Sequence, residues 1–343
     1  MRFVFSALLI GLLAVSAGAR TIRVPDEELG LTAIQQAVVL AEPGDTVLVR
    51  AGIYDSVHTF QTPLGLKHAV VGISEDIVLK GEDRANVIID QQNTEYGILC
   101  QGVGRNALIT TLTITGGVSR DQGLTDDGDG RFLTAAIACL DDASPTIRSI
   151  DIKAAATGII VRSSTADSAP LIERVVIARG SHHGIYVYQN GTEPVEINRT
   201  TIVDNFDYGV YVSSGEVIVR NTAITHNGKY GVNSYLSSPV ISYCDLYWND
   251  RMFPDPEAGP LDYGPSLTNQ TGINGNISAE PYYCDFVGSS GYNYSVCLSD
   301  PVSPLYQAGE GGVTIGAMSA NCTGCIPSPV EPASWGAIKA LYR

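Results

Sequence analysis

Past its first nineteen residues the chain has no apolar run long enough to cross a bilayer, so no membrane-spanning helix is expected after them. Lysine is scarce, and 21 Lys and Arg stand against 36 Asp and Glu, for a formal net charge of −15. No basic stripe is legible along the chain, which excludes nucleic acid as a partner. The same charge argues against unaided binding of polyanionic glycans, so an acidic polysaccharide would need a bridging cation such as calcium. Long stretches of helical periodicity are also missing, with one short exception near the start. What the chain has instead is 36 Gly and 17 Tyr, with abundant Val, Ile, Thr, Ser and Asn. That composition favours many short strands joined by tight turns.

The start reads as a secretory signal. Arg2 supplies a short positive region, Phe3 to Val15 an apolar core, and Ala17-Gly18-Ala19 a small-x-small cleavage pattern, so residues 1–19 are expected to be removed. The expected location is therefore secreted: extracellular, at the cell surface or in a periplasm.

Six segments superpose on their glycines: YGILCQ (96–101), AAIACL (135–140), TGIIVR (157–162), HGIYVY (183–188), YGVYVS (208–213) and YGVNSY (230–235). The anchors Gly97, Ala136, Gly158, Gly184, Gly209 and Gly231 are spaced by 39, 22, 26, 25 and 22 residues, and the one long interval holds an insertion near 118–132. A period in this range marks a stacked array. One residue after the anchor stand Ile98, Ile137, Ile159, Ile185, Val210 and Val232, and the third residue after it is again small or apolar. This alternation buries one face of a strand. A second strand is expected after each anchor, at TLTI (111–114), SIDI (149–152), RVVI (174–177), RTTI (199–202), NTAI (221–224) and YCDL (243–246). The leucine and asparagine pattern of the competing horseshoe solenoid is absent. The reading is all-β: a parallel β-helix solenoid.

Through these repeats the chain resembles the pectin-lyase-like superfamily of right-handed parallel β-helix proteins, and in particular bacterial secreted members with runs of SPxI repeats. The matching text is ASPTIRSIDI (143–152), SAPLIERVVI (168–177) and SSPVISYCDLYWN (237–249), while AIQQAVVLAEPGDTVLVRAGIY (33–54) looks like an N-terminal capping helix leading into a first strand. The resemblance implies an organisation of cap and first strand at 20–54, parallel β-helix at 55–278, an irregular closing segment at 279–325, and a linker and tail at 326–343. It is specific for fold and does not select an activity, because lyases, hydrolases, epimerases and adhesins share this architecture.

The cysteines sort by position. Cys100, Cys139 and Cys244 fall at inward positions as small hydrophobes, the first two near enough in adjacent coils for an oxidised pair to stay open. Cys284 with Cys297, and Cys322 with Cys325, lie in the irregular tail, where disulfides are the economical reading in an oxidising compartment.

Three outward features carry candidate chemistry. Tyr186 and Tyr211 share one position of the repeat and Tyr188 and Tyr235 another, columns suited to stacking against sugar rings. The turn before the anchor gathers His182, Asp207 and Lys229, and the turn before that stacks Arg179, Asp204 and His226 beside Asn205 and Asn227. Acid, imidazole and cation so close could supply a base and an enolate-stabilising charge to a lyase, or be a solvated turn with an asparagine ladder. The insertion SRDQGLTDDGDGR (119–131) offers Asp126, Asp127 and Asp129 as hard oxygen ligands for calcium, without the distal glutamate of an EF-hand. The tail ASWGAIKALYR, beyond a proline-containing linker, is expected to serve attachment to a secretion system or envelope, or to dock on the solenoid end. The expected function is polysaccharide binding by a secreted or surface protein. Calcium-assisted polysaccharide lysis and a structural or adhesive role are the alternatives.

Overall fold

The computed structural model describes residues 18–92, 94–117, 134–163, 167–189, 191–250, 261–285, 293–298 and 302–318. Residues 1–17 of the expected signal segment, the insertion with Asp126, Asp127 and Asp129, and the tail with Cys322 and Cys325 lie outside them.

The chain winds as a right-handed parallel β-helix. Each coil carries three strands, not two. Among the described residues, sheet 1 stacks nine strands, from Thr21–Val24 to Val240–Ser242. Sheet 2 stacks eight, from Gly52–Tyr54 to Asp245–Tyr247, and sheet 3 eight, from His58–Thr62 to Val232–Ser234. Pairing is parallel throughout these sheets except for the antiparallel hairpin of His58–Thr62 with Gly65–Ile73.

The glycine-anchored segments form sheet 3, in the expected register: Ile98, Ile137, Ile159, Ile185, Val210 and Val232 align, all fully buried. The expected second strands need correction. Their first residues, Ser149, Arg174, Arg199, Asn221 and Tyr243 among them, sit at φ between 49° and 54° and turn the chain from sheet 1 into sheet 2. The strand begins two residues later, as in Asp151–Lys153 and Val176–Ala178. The third strand lies in the SPxI text itself, at Thr146–Arg148 and Leu171–Glu173. Three-residue strands flanked by sharp corners leave too little alternation to be separated by pattern alone.

The anchor glycines answer a steric demand. A Cβ on Gly184 would lie 2.3 Å from Ile202 Cγ2 and 2.6 Å from the Gly209 carbonyl oxygen, and one on Gly209 2.4 Å from Ile224 Cγ2. The isoleucines of sheet 2 thus pack directly onto the backbone at the start of each sheet 3 strand.

The capping helix covers Ile34–Leu40, burying Ile34, Gln35 and Ala37, with the Gln36 side chain accepting from the Thr32 and Ala33 amides at its start. At the other end the closing segment is more than loop. The hairpin of Tyr283–Asp285 and Asn293–Val296, with Leu305 and Ile315, buries the outer face of sheet 2 around Val176, Ala178, Val203 and Ala223. The chain there returns along the solenoid, since the Ala317 amide donates to Thr201 Oγ1 at 2.9 Å. Cys284 and Cys297 are neighbours in this hairpin, where Tyr283 opposes Val296, and both are disulfide-bonded. Cys100 and Cys139 align in adjacent coils as free, fully buried thiols, and Cys244 is a free, fully buried thiol at the corner between sheets 1 and 2. Among the described residues no helix is long and apolar enough to cross a membrane.

Candidate functional site

Stacking of coils brings together groups that lie 22 to 26 residues apart in sequence. The residues just before the anchors, His183, Tyr208 and Tyr230, form one column: His183 stacks on Tyr208 with ring centroids 5.1 Å apart, and Tyr208 on Tyr230 at 6.0 Å and 6°. Tyr186 and Tyr211 form the neighbouring column at 5.7 Å, and His183 lies 5.5 Å from the Tyr211 ring. Of the two tyrosine positions noted in the sequence, that of Tyr186 and Tyr211 therefore belongs to one aromatic cluster with His183, Tyr208 and Tyr230 on the outer face of sheet 3.

Charge sits at its edge. Lys229 Nζ pairs with Asp207 Oδ1 at 2.7 Å and lies 5.2 Å from the centre of the Tyr208 ring. Asp207 is buried, and its second oxygen stands 4.0 Å from His183 Nδ1, which has no hydrogen-bond partner. Burial holds His183 down to about 4, against the opposing pull of Asp207. At neutral pH this is an uncharged imidazole beside an ion pair and three half-buried tyrosines, Tyr208, Tyr211 and Tyr230. Such a group can accept a proton or a hydrogen bond, while the tyrosine faces offer apolar surface and hydroxyls.

Several expectations are revised here. His182 is wholly buried, with Ser181 Oγ 3.2 Å from its Nδ1, and its neighbour His183 occupies the site. A repeat alignment cannot decide which of two consecutive histidines turns inward. Tyr186 is only 5% exposed, because the outer face of sheet 3 carries a second apolar cluster with Leu99, Ala138, Leu140 and Ile160. Tyr188 and Tyr235 do not share a column: the register shifts after Val187, Tyr188 aligns with Ser214, and Tyr235 lies beyond the last sheet 3 strand, 71% exposed. Arg179, Asp204 and His226 do stack, each at a positive φ of 58–61°. Arg179 and Asp204 approach to 4.0 Å, and His226 is buried edge-on to Tyr247. Among the described residues no group of His, Cys, Asp and Glu is arranged to hold a metal.

The asparagine ladder is present and lies beneath the site. Asn205 Oδ1 accepts from the Gly180 amide at 2.9 Å, and Asn205 Nδ2 donates to Asn227 Oδ1 at 3.0 Å. Asn227 Nδ2 donates to Asn249 Oδ1 at 2.9 Å, and Asn249 Nδ2 to Asp262 Oδ1 at 2.8 Å. The first three members were open to sequence reasoning through the repeat. Asp262 was not, since it reaches the ladder from outside the repeat.

A family described as "Right handed beta helix region" matches residues 71–217. No curated protein matches the chain in sequence. Among solved structures, the chain is similar to pectin methylesterase PemA from Erwinia chrysanthemi, at 11% identity and a TM-score of 0.44, over 76% of this chain and 93% of that one. It is also similar to the A-module of a mannuronan C-5 epimerase from Azotobacter vinelandii, at 15% identity and a TM-score of 0.37, over 80% and 81%.

Proposed function

We propose that this is an exported β-helix protein that binds polysaccharide at the aromatic site on sheet 3. The observation that carries the reading is the convergence of the half-buried Tyr208, Tyr211 and Tyr230 with the Lys229–Asp207 pair on one face. Rings of this kind stack on sugar faces, and the charged pair supplies directional contacts at the edge. Export rests on the signal pattern of residues 1–19, calcium on Asp126, Asp127 and Asp129, and envelope attachment on residues 326–343.

Catalysis at the same site is the second reading, favoured by His183 being uncharged at neutral pH and close to Asp207. Neutral and acidic polysaccharides, incubated with the protein in calcium and in chelator, separate the two. Binding without products, lost on Tyr211→Ala and weakened on Lys229→Ala, is the expected result. Shortened or unsaturated products that disappear on His183→Ala would make the protein an enzyme. If nothing in the panel binds or changes, the polysaccharide reading fails and a structural or adhesive role replaces it.

A further inference from the structure

Sheet 1 turns its outer face to solvent, and its register gathers cations that the sequence scatters. Arg23, Lys80, Arg148 and Arg220 occupy one outward column, and Arg174 and Arg199 the corner beside it. The column's one acidic member, Glu173, is neutralised by Arg148 at 2.8 Å, and Glu196 in the next column by Arg105 at 2.9 Å. Among the described residues, no carboxylate comes within ion-pair distance of Lys80, Arg174, Arg199 or Arg220. Arg199 Nε is buried without a hydrogen-bond partner. Burial and then the adjacent Arg174 disfavour the charged form of Arg199 more than Glu173 favours it, a conflict that a bound anion would further relieve. An open groove of about 560 Å³ crosses the same face over Thr46, Leu48, Val78 and Leu108, edged by Lys80 and Arg148.

We infer that the outer face of sheet 1 is a second binding surface, for a linear carboxylated polysaccharide. With coils ~4.8 Å apart, cations recur at every second coil from Arg23 through Lys80 to Arg148, with Leu48 and Thr110 between them, a spacing of about 9.6 Å that suits an extended polymer bearing regularly placed anions. Threonine hydroxyls and an aliphatic floor suit sugar rings. Nucleic acid is disfavoured, because its dense phosphates would meet a chain of net charge −15 with only a narrow cationic strip. A net charge averages over the surface, and this face departs from the average, so no bridging calcium is needed here.

Affinity electrophoresis of the protein in gels containing carboxymethyl cellulose, with uncharged hydroxyethyl cellulose as control, tests the inference. Arg174→Asn with Arg199→Asn is the informative variant, since asparagine tolerates the left-handed backbone at both corners. The expected result is retardation by the carboxylated polymer only, weakened about tenfold by the double variant and by high salt, and unchanged by Tyr211→Ala. Equal retardation by the uncharged polymer overturns the inference, as does a natively folded double variant that binds like the parent. Loss on Tyr211→Ala alone would assign the binding to sheet 3. Self-association that the double variant abolishes, without polymer binding, would give the face to a second copy of the chain.

Discussion

Replacing Asp262 by asparagine should stabilise the last coil at neutral pH and leave it unchanged in acid. Asp262 ends the buried ladder: its Oδ1 accepts from Asn249 Nδ2 at 2.8 Å, and Ser278 Oγ lies 3.2 Å from its Oδ2. Burial raises its carboxyl from 3.8 to about 6, with the Asn249 and Ser278 contacts opposing the shift. In the unfolded chain the group ionises near 3.8, so between pH 3.8 and 6 the unfolded state sheds a proton that the folded state retains. Stability is then lost as pH rises through this window, to a limit of about 3 kcal/mol at 1.36 kcal/mol per unit. Asparagine keeps the acceptor for Asn249 and turns a donor toward the Ser278 hydroxyl, so the ladder continues without the ionisable group. A solenoid can open from one end, so the readout should be local as well as global. Hydrogen exchange at the amides of Asn249 and Cys244, with urea midpoints, should show Asp262→Asn more protected than the parent at pH 8, by up to about 3 kcal/mol, and equal to it at pH 3. A variant less protected at pH 8, or a difference that does not change with pH, would refute the reasoning.

His183 should titrate in the opposite sense. Its folded value is about 4 against 6.5 unperturbed, so the unfolded chain takes up a proton first and stability falls as pH drops from 6.5 toward 4. Its ring resonances should stay those of neutral imidazole down to about pH 5, and a transition near 6.5 in the folded protein would contradict the burial argument. Gly209→Ala should cost roughly 1–3 kcal/mol in urea unfolding, because the new methyl meets Ile224 and the Gly231 carbonyl; an unchanged midpoint would remove the packing explanation for the anchor glycines. Cys139, raised by its contact with Cys100 and by burial, and Cys244, raised to about 12 by burial, should resist alkylation in the folded protein and react once it is unfolded. Peptide mapping that finds Cys139 or Cys244 modified under native conditions would count against this.

The sequence by itself determined the parallel β-helix, the strands of sheet 3 with their inward columns, the capping helix and the start of the asparagine ladder. It did so because a repeat imposes the same burial at the same position in every coil, and a period-two alternation five or six residues long survives inspection. Only the tertiary structure decided the rest. Which of His182 and His183 faces out depends on one backbone rotation before Gly184. The burial of Tyr186 depends on the apolar surface that its neighbours build around it. Asp262 and the closing hairpin reach their partners from outside the repeat, where no alignment places them. The cations of sheet 1 are strung among acidic neighbours along the chain and become a stripe only when coils stack in register. A side chain's direction and its neighbours in other coils are long-range properties, set by packing and not by local pattern.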